Sequence, residues 1–170
     1  MNKLKNNIIK ILFGILIFTS FSSCDEGGKP DAGGTTTGAF AGDWYITLRN
    51  SDGAPIPGVD DNTLLSTYNT AANDNTMWIN DYSKGYFLKC KITIDVNTGT
   101  FTANNVDNLI DDTKTTVTIN DGKIEKGAGL SKAGHVVDKI SFRAHYSYDA
   151  NGYDILYEGH KRTGFKEDEY

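Results

Sequence analysis

Strict alternation of apolar and polar residues is the feature that most limits how this chain can fold. From Tyr86 to Val96, the residues Tyr86, Leu88, Cys90, Ile92, Ile94 and Val96 share one face, and Phe87, Lys89, Lys91, Thr93 and Asp95 share the other. A period of two belongs to a half-buried strand, because successive side chains of a strand point to opposite sides. The same alternation opens at Gly42, with Trp44, Ile46 and Leu48 opposite Tyr45, Thr47 and Arg49. It recurs from Asp138 to Tyr148, with Ile140, Phe142, Ala144, Tyr146 and Tyr148 together. Shorter runs predict further strands at Leu64 to Ala71, Met77 to Tyr82, Thr100 to Val106, Thr113 to Asn120, Lys123 to Lys126 and Tyr153 to Arg162. Turn formers separate them, among them Asn50-Ser51-Asp52-Gly53, Asn97-Thr98-Gly99, Asp149-Ala150-Asn151-Gly152, and Asp121-Gly122, which reads as a type I′ hairpin. Only Asp60 to Thr67 carries a weak helical period.

An antiparallel meander of eight or nine such strands either closes or leaves edges that invite pairing with other chains. The expected fold is therefore all-β, an antiparallel up-and-down barrel of eight or nine strands with little helix; a two-sheet sandwich is the competitor. Closure at eight strands leaves an interior that side chains fill or that holds one small ligand. Cys90 lies on the longest apolar wall and reads as a small buried hydrophobe.

The front of the chain is different. Residues 1–23 have a basic start (Lys3, Lys5, Lys10), an apolar run from Ile8 to Phe18, and then small polar residues. The run is shorter than the roughly 18 to 20 residues that a spanning helix needs, so it reads as an export signal. Phe21-Ser22-Ser23-Cys24 is similar to a bacterial lipobox, with phenylalanine where leucine is usual. On that reading Cys24 becomes the acylated first residue of the mature chain and anchors it to a membrane. Residues 24–41, rich in Gly and Thr, form a flexible tether, and residues 42–170 form the barrel domain. The acidic pair Asp25-Glu26 resembles a surface-export signal. Only Cys24 and Cys90 are present; a secreted chain with a bridge between them is the alternative.

Formal net charge is −5, and because the basic residues of the first segment offset none of its own acids, the domain is more acidic still. Such a domain is a poor partner for nucleic acid.

Four stretches carry a resemblance: Gly42-Asp43-Trp44-Tyr45, Thr67 to Asn73, Met77-Trp78-Ile79, and Gly159-His160-Lys161-Arg162-Thr163-Gly164-Phe165 followed by Glu167-Asp168-Glu169. Together they resemble the Bacteroidetes family of lipid-binding lipoproteins, over the whole mature domain. The resemblance implies a lipocalin-like (calycin) barrel on a lipid anchor, at the outer membrane on its cell-surface or periplasmic face. Its label also includes a hydrolase. Within it, Gly42, Trp44 and Arg162 look like a lipocalin floor closure, in which a guanidinium lies across the indole. Lys161 is the other cation able to take that place, since alternation alone does not say which faces in.

Chemistry is sparse. Gly129-Leu130-Ser131-Lys132-Ala133 resembles a nucleophile elbow without the strand-turn-helix setting that an elbow needs. His135, His145 and His160 lack metal-ligand spacing. The expectation is accordingly no catalytic residue, no metal and no cofactor. The terminal Lys166 to Tyr170 run reads as a solvated tail. The function expected is capture of a lipid-like or other apolar small molecule in a cavity lined by Tyr68, Trp78, Tyr86, Leu88, Ile92, Phe142 and Tyr146. An accessory lipoprotein docking on an outer-membrane uptake or surface complex is the second reading, and a hydrolase on the same barrel the third.

Overall fold

Backbone pairing turns the alternation into eight antiparallel strands. They are β1 (Gly42–Asn50), β2 (Thr63–Asn69), β3 (Thr76–Asn80), β4 (Lys89–Ile94), β5 (Thr100–Asp107), β6 (Thr116–Leu130), β7 (Val136–Tyr146) and β8 (Asp154–Lys161). The structure, a computed structural model, describes residues 34–110, 114–149 and 153–170. Cys24, the export signal and most of the tether lie outside the described residues. Thr35–Tyr170 forms one unit. Each strand pairs with its neighbour in sequence, and β8 returns to β1, so the sheet closes as an up-and-down barrel. Among the described residues the only helical turns are two 3-10 turns, Gly38–Phe40 and Lys166–Asp168.

Closure depends on the register at the β1–β8 seam, where Trp44 faces Lys161, Ile46 faces Gly159 and Leu48 faces Tyr157. Directly opposed residues point to the same side of a sheet, so Trp44, Ile46 and Leu48 commit that side to the interior. Gly159 is required there. A Cβ at this position would fall inside the Tyr45 carbonyl oxygen and against Ile46, and the seam could not shut.

Two expectations need correction. Asp121-Gly122 is not a hairpin: β6 runs through it without a break, and the dipeptide makes a bulge at which the β6–β7 register shifts between Asn120 and Lys123. Hairpin and bulge ask for the same left-handed backbone, here at Asp121 with φ of 54°. The long strand from Tyr86 starts late, at Lys89, because Phe87 adopts φ of 56° and turns Tyr82 to Leu88 into a loop. Val96, at its other end, is exposed. The weak helical period at Asp60 to Thr67 is overridden by pairing with β1.

The up-and-down course puts the β1–β2, β3–β4, β5–β6 and β7–β8 connections at one end, the mouth. The β2–β3, β4–β5 and β6–β7 connections, with the turn before β1 and the segment after β8, lie at the other, the floor.

Candidate functional site

The barrel is full. Trp44, Ile46, Leu65, Met77, Ile79, Cys90, Ile94, Ile119, Ile140, Ala144, Tyr146 and Ile155 all have 0 % exposure, and Ile92, Phe101, Phe142 and Tyr157 have 1 to 3 %. A cavity wide enough for a lipid tail would leave its lining open to a water-sized sphere, and these side chains offer no such surface. An aromatic stack runs along the interior. Phe101 lies 5.7 Å from Phe142, and Phe142 stacks at 4.3 Å on Tyr157. The Tyr157 and Tyr146 hydroxyls share a buried hydrogen bond of 2.6 Å. Burial raises both phenols well above their ordinary range. Cys90 carries a free, buried thiol that burial pushes up to about 12, so it packs as a hydrophobe.

The floor is sealed around Trp44. Its indole N–H donates to Thr67 Oγ1 at 3.0 Å, and that hydroxyl donates to the Phe40 carbonyl at 2.8 Å. Lys161, not Arg162, brings its cation over the Trp44 ring, at 5.8 Å. Register decides this: Lys161 opposes the inward Trp44, whereas the Arg162 N–H bonds the carbonyl of outward Asp43. Gly42 leaves space for the lysine stem, since a Cβ there would sit 2.7 Å from Lys161 Cε.

Arg162 serves the segment that follows. It binds Glu169 through Nε at 2.8 Å and Nη2 at 2.6 Å, and lies 6.0 Å from the centre of the Tyr45 ring. The Tyr45 hydroxyl donates to the same carboxylate at 2.5 Å. The expected solvated tail is therefore a strap. Asp168 is only 1 % exposed and accepts from Ala133 N–H (2.8 Å), the His135 ring (2.9 Å) and the Thr163 hydroxyl (2.7 Å). Burial works against its ionisation, but these bonds and one from the Ser131 hydroxyl outweigh it and hold the carboxyl well below the usual range. In return, the hydrogen bond to Asp168 and its charge raise the pKa of His135.

Ser131, His135 and Asp168 thus come together from distant parts of the sequence, but in a structural order. The serine hydroxyl bonds Asp168 and accepts the His135 backbone N–H at 3.0 Å. In serine catalysis the hydroxyl bonds the imidazole, which takes its proton; here serine and imidazole both end on one carboxylate and tie the strap to the β6–β7 turn. His145 pairs with Asp154 at 3.3 Å near the mouth, while His160 lies towards the floor, so the three histidines do not converge.

An open concavity of about 660 Å³ lies on the outer wall, within the size range of small-molecule sites. Its base is the outward face of the β1–β8 seam, with Tyr45, Thr47, Arg49, Leu156, Glu158 and His160. Its side wall is Ala128, Gly129 and Leu130 from the end of β6, with Tyr170 of the strap. β6 reaches there because its register slips between Glu125 and Gly129, where Gly127 takes φ of 64°. Gly129 then packs closely on its neighbours: a Cβ there would lie 3.0 Å from the Asp138 carbonyl oxygen and 3.3 Å from His160 Cβ, so a side chain would need both to give by a few tenths of an ångström. Tyr170 stacks on His160 at 5.9 Å and meets Tyr45 edge-on at 4.8 Å. Arg49 is held by Asp61 at 2.7 Å and Lys139 by Glu158 at 2.5 Å, so both cations in the groove are paired. Burial lowers the pKa of His160, which leaves it neutral at physiological pH.

The residues expected to line an internal pocket are divided by the barrel wall. Leu88, Ile92, Phe142 and Tyr146 are inside, in contact with other side chains, and Tyr86 is half-buried at the mouth with its ring 5.2 Å from Tyr146. Tyr68 and Trp78 oppose each other on the outer surface. Their neighbours Thr67, Met77 and Ile79 take the inward positions. Trp78 instead borders a shallow outer recess with Lys91, Val106 and Leu109. The groove residues Leu130, Leu156 and Tyr170 escaped the sequence reading because outward apolar residues there carry no periodic signal.

No curated protein matches this chain. Residues 29–166 match the family described as "Lipid-binding putative hydrolase". That span covers the barrel and well over half of the chain, and the protein belongs to this family.

Proposed function

We propose that the protein is an acylated lipoprotein, anchored through Cys24 at the outer membrane, whose barrel holds an amphipathic, lipid-like molecule in the outer groove and not along the barrel axis. The observation that carries this reading is the contrast between an interior with no accessible surface and an open groove of about 660 Å³ lined by Tyr45, Leu130, Leu156 and Tyr170. A chain laid on these side chains gains about 0.8 kcal/mol for each methylene removed from water. The paired cations and His160 offer polar contacts to a head group.

The test is native mass spectrometry of the full chain carrying Cys24→Ser, before and after solvent delipidation. A co-purified mass of a few hundred daltons, lost on extraction and absent from a Leu156→Arg chain, supports the groove. A bare mass in the parent chain, with no uptake of fluorescent fatty acids, overturns it. The packed interior also favours a second reading, a non-catalytic accessory module docked on an outer-membrane complex, and the bare-mass outcome would move the assignment there.

A further inference from the structure

A buried carboxyl lies under the mouth of the barrel, and neither the floor nor the groove uses it. Asp81 is 0 % exposed. Its Oδ1 accepts the Ser83 N–H at 3.0 Å, while Oδ2 has no hydrogen-bond partner. No cation pairs with it among the described residues. Burial pushes the carboxyl up to about 6, against the opposing pull of the Leu88, Ser83 and Tyr86 backbone N–H groups, so it is ionised at neutral pH and largely neutral at pH 5. The titratable groups around it are Tyr146 from β7 and Tyr157 from β8, whose phenols its charge pushes further up. Beyond these stand Cys90 on β4 and, nearer the opening, Tyr86, Tyr148 and Asp149. These groups are neutral or acidic; the cations of the covering segment, exposed Lys84 in the loop and Lys89 at the start of β4, make no ion pair with Asp81.

The cover over this carboxyl is the loop between β3 and β4. Its ends meet where the Asp81 N–H donates to the Leu88 carbonyl at 2.9 Å. Between them Tyr82, Ser83 and Phe87 adopt φ of 53°, 59° and 56°, a region that residues with side chains seldom occupy and that recurs at ligand clamps. The loop delivers the Tyr86 ring 5.2 Å from Tyr146 and 6.2 Å from Tyr148. Around the opening Tyr82, Phe87 and Tyr148 stand about half exposed. The Tyr86 ring thus covers Tyr146, whose phenol feels the charge of Asp81, and Asp81 Oδ2 is an unpaired acceptor packed against Gly85 of the same loop.

We propose that the mouth is a second binding site, for an amphiphile with a hydrogen-bond-donating head, an alkylammonium ahead of an alcohol. The head meets Asp81 Oδ2, and the first methylenes replace the Tyr86 ring beside Tyr146 and Tyr148. A dry carboxylate without a counter-charge gains most from a cation and repels a second carboxylate. The site is separate from the outer groove and does not depend on it.

The test is calorimetric titration of the full chain carrying Cys24→Ser with decylammonium, decanol and decanoate below their micellar concentrations. At pH 7.5 decylammonium is expected to bind at least about tenfold tighter than decanoate, with decanol between them. Lowering the pH to 5 should weaken decylammonium about tenfold as Asp81 takes up a proton. Adding Asp81→Asn should erase the preference, and Tyr86→Ala, which removes the plug without touching the carboxyl, should tighten decylammonium several-fold. Equal binding of amine and acid, or a preference that survives Asp81→Asn, would overturn the proposal. So would loss of decylammonium binding in a Leu156→Arg chain, which would assign the probe to the outer groove. If the Asp81→Asn chain does not fold, the pH dependence and the Tyr86→Ala chain decide in the same way.

Discussion

The two ends of the barrel each bury one aspartate, and the two carboxyls behave in opposite ways. At the floor, Asp168 collects hydrogen bonds from Ser131, Ala133, His135 and Thr163 and stays ionised far into acid. At the mouth, Asp81 is as deeply buried but keeps one oxygen bare, and burial wins. The difference teaches that burial alone does not set a buried acid's charge; the number of donors built around it does. The floor donors come from the β6–β7 turn and the strap, so Asp168 stitches two distant segments. The mouth loop offers Asp81 only its own backbone, and the carboxyl stores a cost instead of relieving one.

The largest expected effect lies at the floor. Trp44→Ala removes a fully buried indole, its bond to Thr67 and the surface under Lys161. It should cost about 3 to 5 kcal/mol, whereas Tyr86→Ala at the mouth should cost about 1 kcal/mol. Equal losses in urea unfolding would remove the contrast between a sealed floor and a plugged mouth.

The two aspartates should answer substitution with opposite signs. Asp81 binds its proton more tightly folded than unfolded, so the folded state gains protons between about pH 4 and 6 and loses stability as pH rises through that window. Asp81→Asn should therefore stabilise the chain at pH 7, by up to about 3 kcal/mol, and the gain should vanish near pH 4. Asp168 binds its proton more weakly folded, so its contribution is present above its unfolded pKa and is lost as pH falls through the depressed folded value. Asp168→Asn should therefore destabilise at pH 7. Melting temperatures of the two variants between pH 4 and 8 check both signs, and a shift in the same direction would refute the comparison.

A smaller effect sharpens the floor. The raised pKa of His135 means that its bond to Asp168 is fully charge-assisted below its unfolded pKa and fades as pH rises through the folded value. Amide protection factors in Phe165 to Tyr170 should fall as pH rises above the ordinary histidine range, and a His135→Ala chain should lose that dependence. Smallest is the response of Cys90: with its thiol pushed up to about 12, it should stay unmodified by a disulfide reagent at pH 8 until the barrel unfolds. Rapid modification of the native chain would mean that the wall around β4 opens.

How much of this was legible in the sequence follows from how local each signal is. Trp44, Ile92, Phe142 and Tyr146 were placed inside correctly because each sits in a run that alternates cleanly. Tyr68 and Trp78 were misplaced because neither run alternates cleanly: Leu64 to Asn69 mixes apolar and polar residues on both faces, Met77-Trp78-Ile79 fits either parity, and pairing with neighbouring strands chooses Met77 and Ile79 for the interior. Arg162 lost its expected place to Lys161 by one residue of register, the step at which every side chain changes sides. Asp168 was unreadable as a buried group. It stands in an acidic run that looks solvated, and the donors at Ser131, Ala133 and His135 that make burial tolerable lie more than thirty residues away. The groove was hidden for a related reason, since it exists only once the glycines at the end of β6 carry that strand over the β1–β8 seam.

The proposed function places the ligand outside a filled barrel. Photo-crosslinking with a diazirine-bearing fatty acid, followed by peptide mapping of the labelled chain, tests that most directly. Label on Tyr45, Leu130, Leu156 or Tyr170 is the predicted result. Label on Ile92, Phe101 or Phe142 would place the chain of the ligand along the barrel axis and contradict it.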